Sequence, residues 1–142
     1  MKKKYLVINT LNQQYIFIGW GDERGYRACK KFPIKVRKAG LVLRALAAMG
    51  VVDVLQRGAC CGVIVASGPG GFSATREGVT IANCLAWVHD LPLAGITLKA
   101  GPDNQDTLLR RGIVTCKKKK QFSLVAPYYN LQPNITVARV GR

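Results

Sequence analysis

At 142 residues, the chain is long enough for one domain with a real core, and 49% hydrophobic content with six prolines excludes a disordered or collagen-like polymer. Twenty-two Lys and Arg against seven Asp and Glu give a formal charge of +15, which favours polyanionic partners, nucleic acid first and anionic membrane second. The five cysteines form no C-x-x-C pair, and the single histidine, His89, leaves no zinc set, so the composition reads as reduced and cytoplasmic, with no metal or other cofactor expected.

The apolar run behind the N-terminal lysines ends at Asn9, too short for the core of a signal peptide, and the run 59–66 is too short to span a bilayer. Residues 4–9 (KYLVIN) predict a first strand. Residues 14–20 (QYIFIGW), rich in aromatic and β-branched side chains, predict a second, and residues 25–32 a third. Tight turns between them predict an antiparallel meander. After Pro33 the pattern turns helical over 36–49, where Val42, Leu46 and Met49 recur at helical spacing and Gly50 is placed to end the helix.

Residues 60–66 (CCGVIVA) lack alternation, as expected of a central strand buried on both faces. A glycine-rich turn leads to a second helix over 73–89, with Ser73 as its cap, Glu77 in its first turn and His89 at its C-terminal end. Residues 93–97 predict another buried strand. Beyond residue 100, the pattern predicts one helical turn at 108–111 and two strands, 112–116 and 122–125, pairing across the lysine run 117–120. The order is β-β-β-α-β-α-β, an α/β fold with a mixed sheet.

The junction CCGVIVASGPGGFSATREGVTIANCLA, residues 60–86, carries the most information. Gly68, Pro69, Gly70, Gly71, Phe72 and Ser73 form its turn. A helix N-terminus attracts anions, but the stretch is neither a P-loop nor a dinucleotide fingerprint, so a structural turn is favoured. Within the helix, Ala74, Gly78, Ala82 and Ala86 fall four apart as a ridge of small residues. That ridge either packs on the chain's own sheet or accepts another protein. Ile81, Leu85 and Val88 offer a separate apolar face for the core, which favours the partner contact.

GPGGFSATREG resembles the GPGSFTGLRxG signature of the TsaB (YeaZ) family, with Gly68, Pro69, Gly70, Phe72, Arg76 and Gly78 matching. The flanking strand and GVTIANCLAWVHDLPLAGITLKA are also similar, and Pro127 and Tyr129 resemble the family's C-terminal P-x-Y-L-R. The resemblance covers about residues 4–100. It implies an actin-like, ribonuclease-H-like fold, with an N-terminal half over 1–100 and a reduced C-terminal remnant over 101–142 packed on the same domain.

It further implies an accessory, non-enzymatic subunit of tRNA threonylcarbamoyladenosine modification, pairing with a TsaD-like enzyme and with a TsaE-like ATPase, or with a second copy of itself. The implied interface is Ala74, Arg76, Gly78, Val79, Ala82, Asn83 and Ala86 of the second helix with Val42, Leu43 and Leu46 of the first. The family's first strand ends in D-T-S where this chain has Asn9, Thr10 and Leu11, which argues against ATP chemistry. An alternative reading is direct RNA binding, with tRNA as the candidate, through Lys30, Lys31, Lys35, Arg37, Lys38, Lys117, Lys118, Lys119 and Lys120.

Overall fold

In the computed structural model, residues 3–36 and 40–129 are described. Three strands, β1 (Lys4–Asn9), β2 (Tyr15–Asp22) and β3 (Gly25–Pro33), form the meander the sequence predicts. Two helices, α1 (Leu41–Ala48) and α2 (Val51–Gln56), lead to β4 (Cys60–Gly68). Then α3 (Phe72–Val88), β5 (Leu93–Thr97) and α4 (Gln105–Lys119) follow. The sheet order is β3-β2-β1-β4-β5. β1 runs antiparallel to β2 and parallel to β4, and β4 runs parallel to β5. This is the mixed α/β sheet expected.

Successive side chains of a strand point to opposite faces, so each central strand feeds two cores. On one side, Leu6, Ile8, Ile16, Ile18, Val63 and Val65 meet α1, α2 and α3 through residues such as Val42, Leu46, Val51, Val79 and Ala82. On the other, Tyr5, Val7, Phe17, Ile64 and Ala66 meet α4 through Leu108, Leu109, Ile113 and Cys116. The run CCGVIVA lacks alternation because both of its faces are covered.

Four local expectations are corrected. The helix at 36–49 starts at Leu41. Gly50, at φ 68°, separates it from α2, which was not anticipated. The cap of α3 is Gly71, with no side-chain cap bond, so Ser73 lies inside the first turn and Glu77 beyond it. His89 does occupy the C-cap, its N–H donating to Leu85 O at 3.2 Å. The strands foreseen at 112–116 and 122–125 are absent: the first lies within α4 and the second in an irregular segment. Leu108, Leu109, Gly112, Ile113 and Cys116 repeat at helical spacing and are buried as one stripe, Asn104 Oδ1 accepts the Thr107 N–H, and lysines 117–119 form the last turn, where cations are favourable.

Candidate functional site

The parallel strands β1, β4 and β5 end together, and at such strand ends open α/β sheets commonly receive ligands. Here the chain's own groups fill the junction. Asn9, 2% exposed, accepts the Leu11 N–H at 3.0 Å and donates to Pro102 O at 2.8 Å and Gln105 Oε1 at 3.0 Å, tying β1 to the start of α4. Its amide supplies both a donor and an acceptor, which an ionised carboxylate lacks. Thr10 donates to Ala74 O at 2.7 Å and holds the first turn of α3 against the sheet. Beside it, a Cβ on Gly78 would sit 2.5 Å from Thr10 Oγ1, so only glycine permits that approach.

Of the predicted turn residues Gly68 to Ser73, Pro69 to Gly71 join strand to helix, while Gly68 ends β4 and Phe72 and Ser73 already belong to α3. Gly68, at φ 140°, sits against the Tyr128 carbonyl, where any Cβ would collide. Tyr128 N–H donates to Ser67 O at 2.7 Å, and Leu98 N–H to Gly68 O at 2.8 Å. The Tyr129 ring packs on Phe72 with centroids 4.6 Å apart, tilted by 32°, and the Arg76 guanidinium lies 5.1 Å from the centroid of the same Phe72 ring. Residues 122–129 thus run back along the helix and close the junction. Asn83 clamps this segment with two bonds to Val125, at 2.8 and 3.0 Å, a role the sequence did not reveal.

Nearby, Asp103 accepts from Asn12 and Tyr15. The Tyr15 hydrogen bond, with that from Asn12, holds the Asp103 carboxyl below its usual range, while partial burial and then the Asp103 bond push the Tyr15 phenol up to about 12. Burial also raises the thiols, Cys60 to about 11 and Cys116 to about 12, which makes them poor nucleophiles.

The helical face reverses the expected arrangement. Gly78, Val79, Ala82 and Ala86 are buried against the chain's own sheet, as are Val42 and Leu46 of α1, and Ala74 is half-buried. The small-residue ridge exists because α3 approaches the sheet closely, so these residues cannot be a contact surface in this conformation. Of the predicted interface, Leu43 and Arg76 are exposed. The outward face of this layer instead shows Leu43 at 57%, Val52 at 58%, Trp87 at 69% and Val88 at 66% exposure. Val88, expected in the core, is on the outside.

The predicted cations do not gather. Lys30 and Lys31 are exposed on the edge strand β3, stacked over Phe32 and Tyr15, and Lys35 lies past its end. Lys117 pairs with Glu23 at 2.8 Å by the opposite end of β3, about 17–20 Å along the strand from Lys30 and Lys31. Lys119 donates to Leu93 O at 2.9 Å, and Lys118 and Lys120 are exposed. Arg37 and Lys38 lie outside the described residues. Among the described residues, no helix is long and apolar enough to cross a membrane.

No family model matches the chain. A stretch of 35 residues, 25% of the chain, is 43% identical to the tRNA threonylcarbamoyladenosine biosynthesis protein TsaB of Bacillus subtilis, covering 15% of that protein. The fold is similar to YeaZ from Pseudomonas aeruginosa, with TM-score 0.50 and 19% identity over 67% of this chain and 43% of that one. A second structure, an uncharacterised protein with similarity to peptidase YEAZ from the same organism, aligns over the same shares at TM-score 0.49 and 17% identity. The matched parts span less than half the length of these relatives. A short stretch of the sequence is thus similar to TsaB, and the mixed α/β fold is similar to that of YeaZ.

Proposed function

We propose that this chain is a non-catalytic partner subunit that docks a TsaD-type enzyme in tRNA threonylcarbamoyladenosine modification. The observation that carries the reading is the outward side of α1, α2 and α3, which exposes the large apolar residues Leu43, Val52, Trp87 and Val88 while the inner side packs on the sheet. A few buried anchors, with Trp prominent among them, supply most of the energy of protein interfaces, which makes Trp87 the leading candidate here. The strand-end junction supports an accessory role. Asn9 stands at the acidic position of the related kinases with its amide committed to Leu11, Pro102 and Gln105, and the chain's own Tyr128 closes the turn.

Affinity purification of the tagged protein from its own cells, followed by mass spectrometry, tests this reading. Recovery of a TsaD-type protein, with a TsaE-type ATPase in the same assembly, is expected. A second copy of this chain is the competing occupant of the same face, and light scattering of the purified protein separates the two. A monomer that recovers no TsaD-type protein contradicts the proposal.

A further inference from the structure

The opposite side of the sheet has a different character. α4 carries Arg110, Arg111, Lys117, Lys118 and Lys119, with Lys120 as its C-cap, against one acid, Asp106. Arg110 and Lys117 lie two turns apart on its outer side, about 10 Å along the axis, with Val114 between them. The β2–β3 turn stands beside this strip, and a groove of about 470 Å³ separates the two. The groove walls are balanced, with Asp22, Glu23 and Asp106 facing Arg24, Arg110 and Lys117. Outside the groove, Lys118 and Lys120 are exposed at the end of the helix, while Arg27 is paired with Asp22 and Arg111 donates to Thr97 O.

The turn and helix form one rigid support. Lys117 Nζ meets Glu23 at 2.8 Å, and Tyr26 donates its hydroxyl to Gln105 O at 2.7 Å. Arg27 meets Asp22 at 2.9 Å within the turn. The Lys117 bond draws the Glu23 carboxyl below its ordinary range, so this acid is already answered by a cation of the helix.

The kind of partner follows from what the strip lacks. The apolar stripe of α4, including Leu108, Leu109, Ile113 and Cys116, is spent on the sheet, which leaves Val114 as the exposed large apolar residue of the helix. A membrane-surface helix needs an apolar face to insert, and a protein interface needs buried apolar or aromatic anchors. A phosphodiester backbone needs only fixed, exposed cations.

We propose that α4 and the β2–β3 turn form a docking strip for a nucleic-acid phosphate backbone, contacted by Arg24, Arg110, Lys118 and Lys120. The strip is on the other side of the sheet from the partner-docking face and stands independently of it. Lys30, Lys31 and Lys35, on the edge strand and beyond its end, are not part of it.

Fluorescence anisotropy with a labelled RNA hairpin and a labelled DNA duplex, each across a salt series, tests the proposal. The triple variant R110Q/K118Q/K120Q should bind at least roughly tenfold more weakly, with a salt slope flatter by about 2 to 3. The variant K30Q/K31Q/K35Q should stay within about twofold of the wild type, since its cations lie elsewhere. Tighter binding of RNA than of DNA names RNA as the source of the phosphates, and equal binding assigns the strip to the backbone alone. In the unmodified protein, amide exchange over 105–119 should slow when RNA is added, a readout that needs no variant. Equal losses from both triple variants, no salt-dependent binding by the wild type, or α4-dependent binding to phosphatidylserine vesicles without nucleic-acid binding would overturn the proposal.

Discussion

The two sides of the sheet solve the same packing problem and leave opposite surfaces. Toward α1, α2 and α3, small residues on α3 let the helix sink onto the sheet through Gly78, Ala82 and Ala86. The outward positions then include the apolar Leu43, Trp87 and Val88 beside the charged Arg44, Asp53 and Arg76. Toward α4, Leu108, Leu109 and Ile113 pack beside Gly112 and Cys116, and the outward positions are mostly basic, with Asp106 and Val114 among them. Among the described residues, more of the exposed large apolar side chains lie on the side opposite the basic helix. One side has the chemistry of a protein interface, the other that of a polyanion contact.

The largest way to break that comparison is the double variant L43E/W87E. Exposed residues tolerate such changes with little loss of stability, whereas an interface anchor is worth roughly 2 kcal/mol or more, about thirtyfold in affinity. We expect loss of the co-purifying enzyme with an unchanged unfolding temperature and unchanged nucleic-acid binding.

Gly78→Val tests the packing beneath the same face. Its side chain would press into Thr10, and overpacking of this kind costs about 1–3 kcal/mol, measured as a lower midpoint in urea. Asn83→Ala probes the tail clamp. Losing both bonds to Val125 should cost about 1–2 kcal/mol and expose residues 122–129 to limited proteolysis, while α4 keeps its protection against hydrogen exchange.

A smaller effect sharpens the contrast between buried and exposed thiols. Folding holds Cys116 neutral up to about 12 and Cys60 up to about 11, above their ordinary value of 9.0. The unfolded chain releases these protons first, so stability should be full below about pH 9 and decline as pH rises toward 11–12. Alkylation with iodoacetamide at neutral pH should label Cys29 and Cys84, which are exposed, and spare Cys60 and Cys116.

The strands were legible because the pleat imposes a strong local rule: aromatic and β-branched runs broken by turns at Gly21–Gly25, and the unalternating run at 60–66 that only a two-sided burial explains. The turn at 68–73 was legible through its glycines. α4 was missed because its lysine-rich end was read as a turn, although Leu108, Leu109, Ile113 and Cys116 fall on one helical stripe and Asn104 supplies a cap. The inside and outside of α3 were exchanged for a different reason. A ridge of small residues permits close approach on either side, and what decides is Thr10, a residue 68 positions before Gly78 that no local pattern connects to it. The Asn83 clamp on Val125 has the same character, since a bond spanning 42 positions leaves no periodic trace. The α3 residues inferred from the motif as an interface therefore lie, apart from Arg76, largely on the inner side of that helix.

The central claim, that the apolar side of the sheet is where a partner docks, is most directly tested by site-specific photo-cross-linking in the protein's own cells. A benzophenone amino acid would replace Trp87 in one variant and Val114 in another. A cross-link to a TsaD-type protein is expected from position 87 and none from position 114. A cross-link to that enzyme from position 114, or its co-purification without any cross-link from position 87, would contradict it.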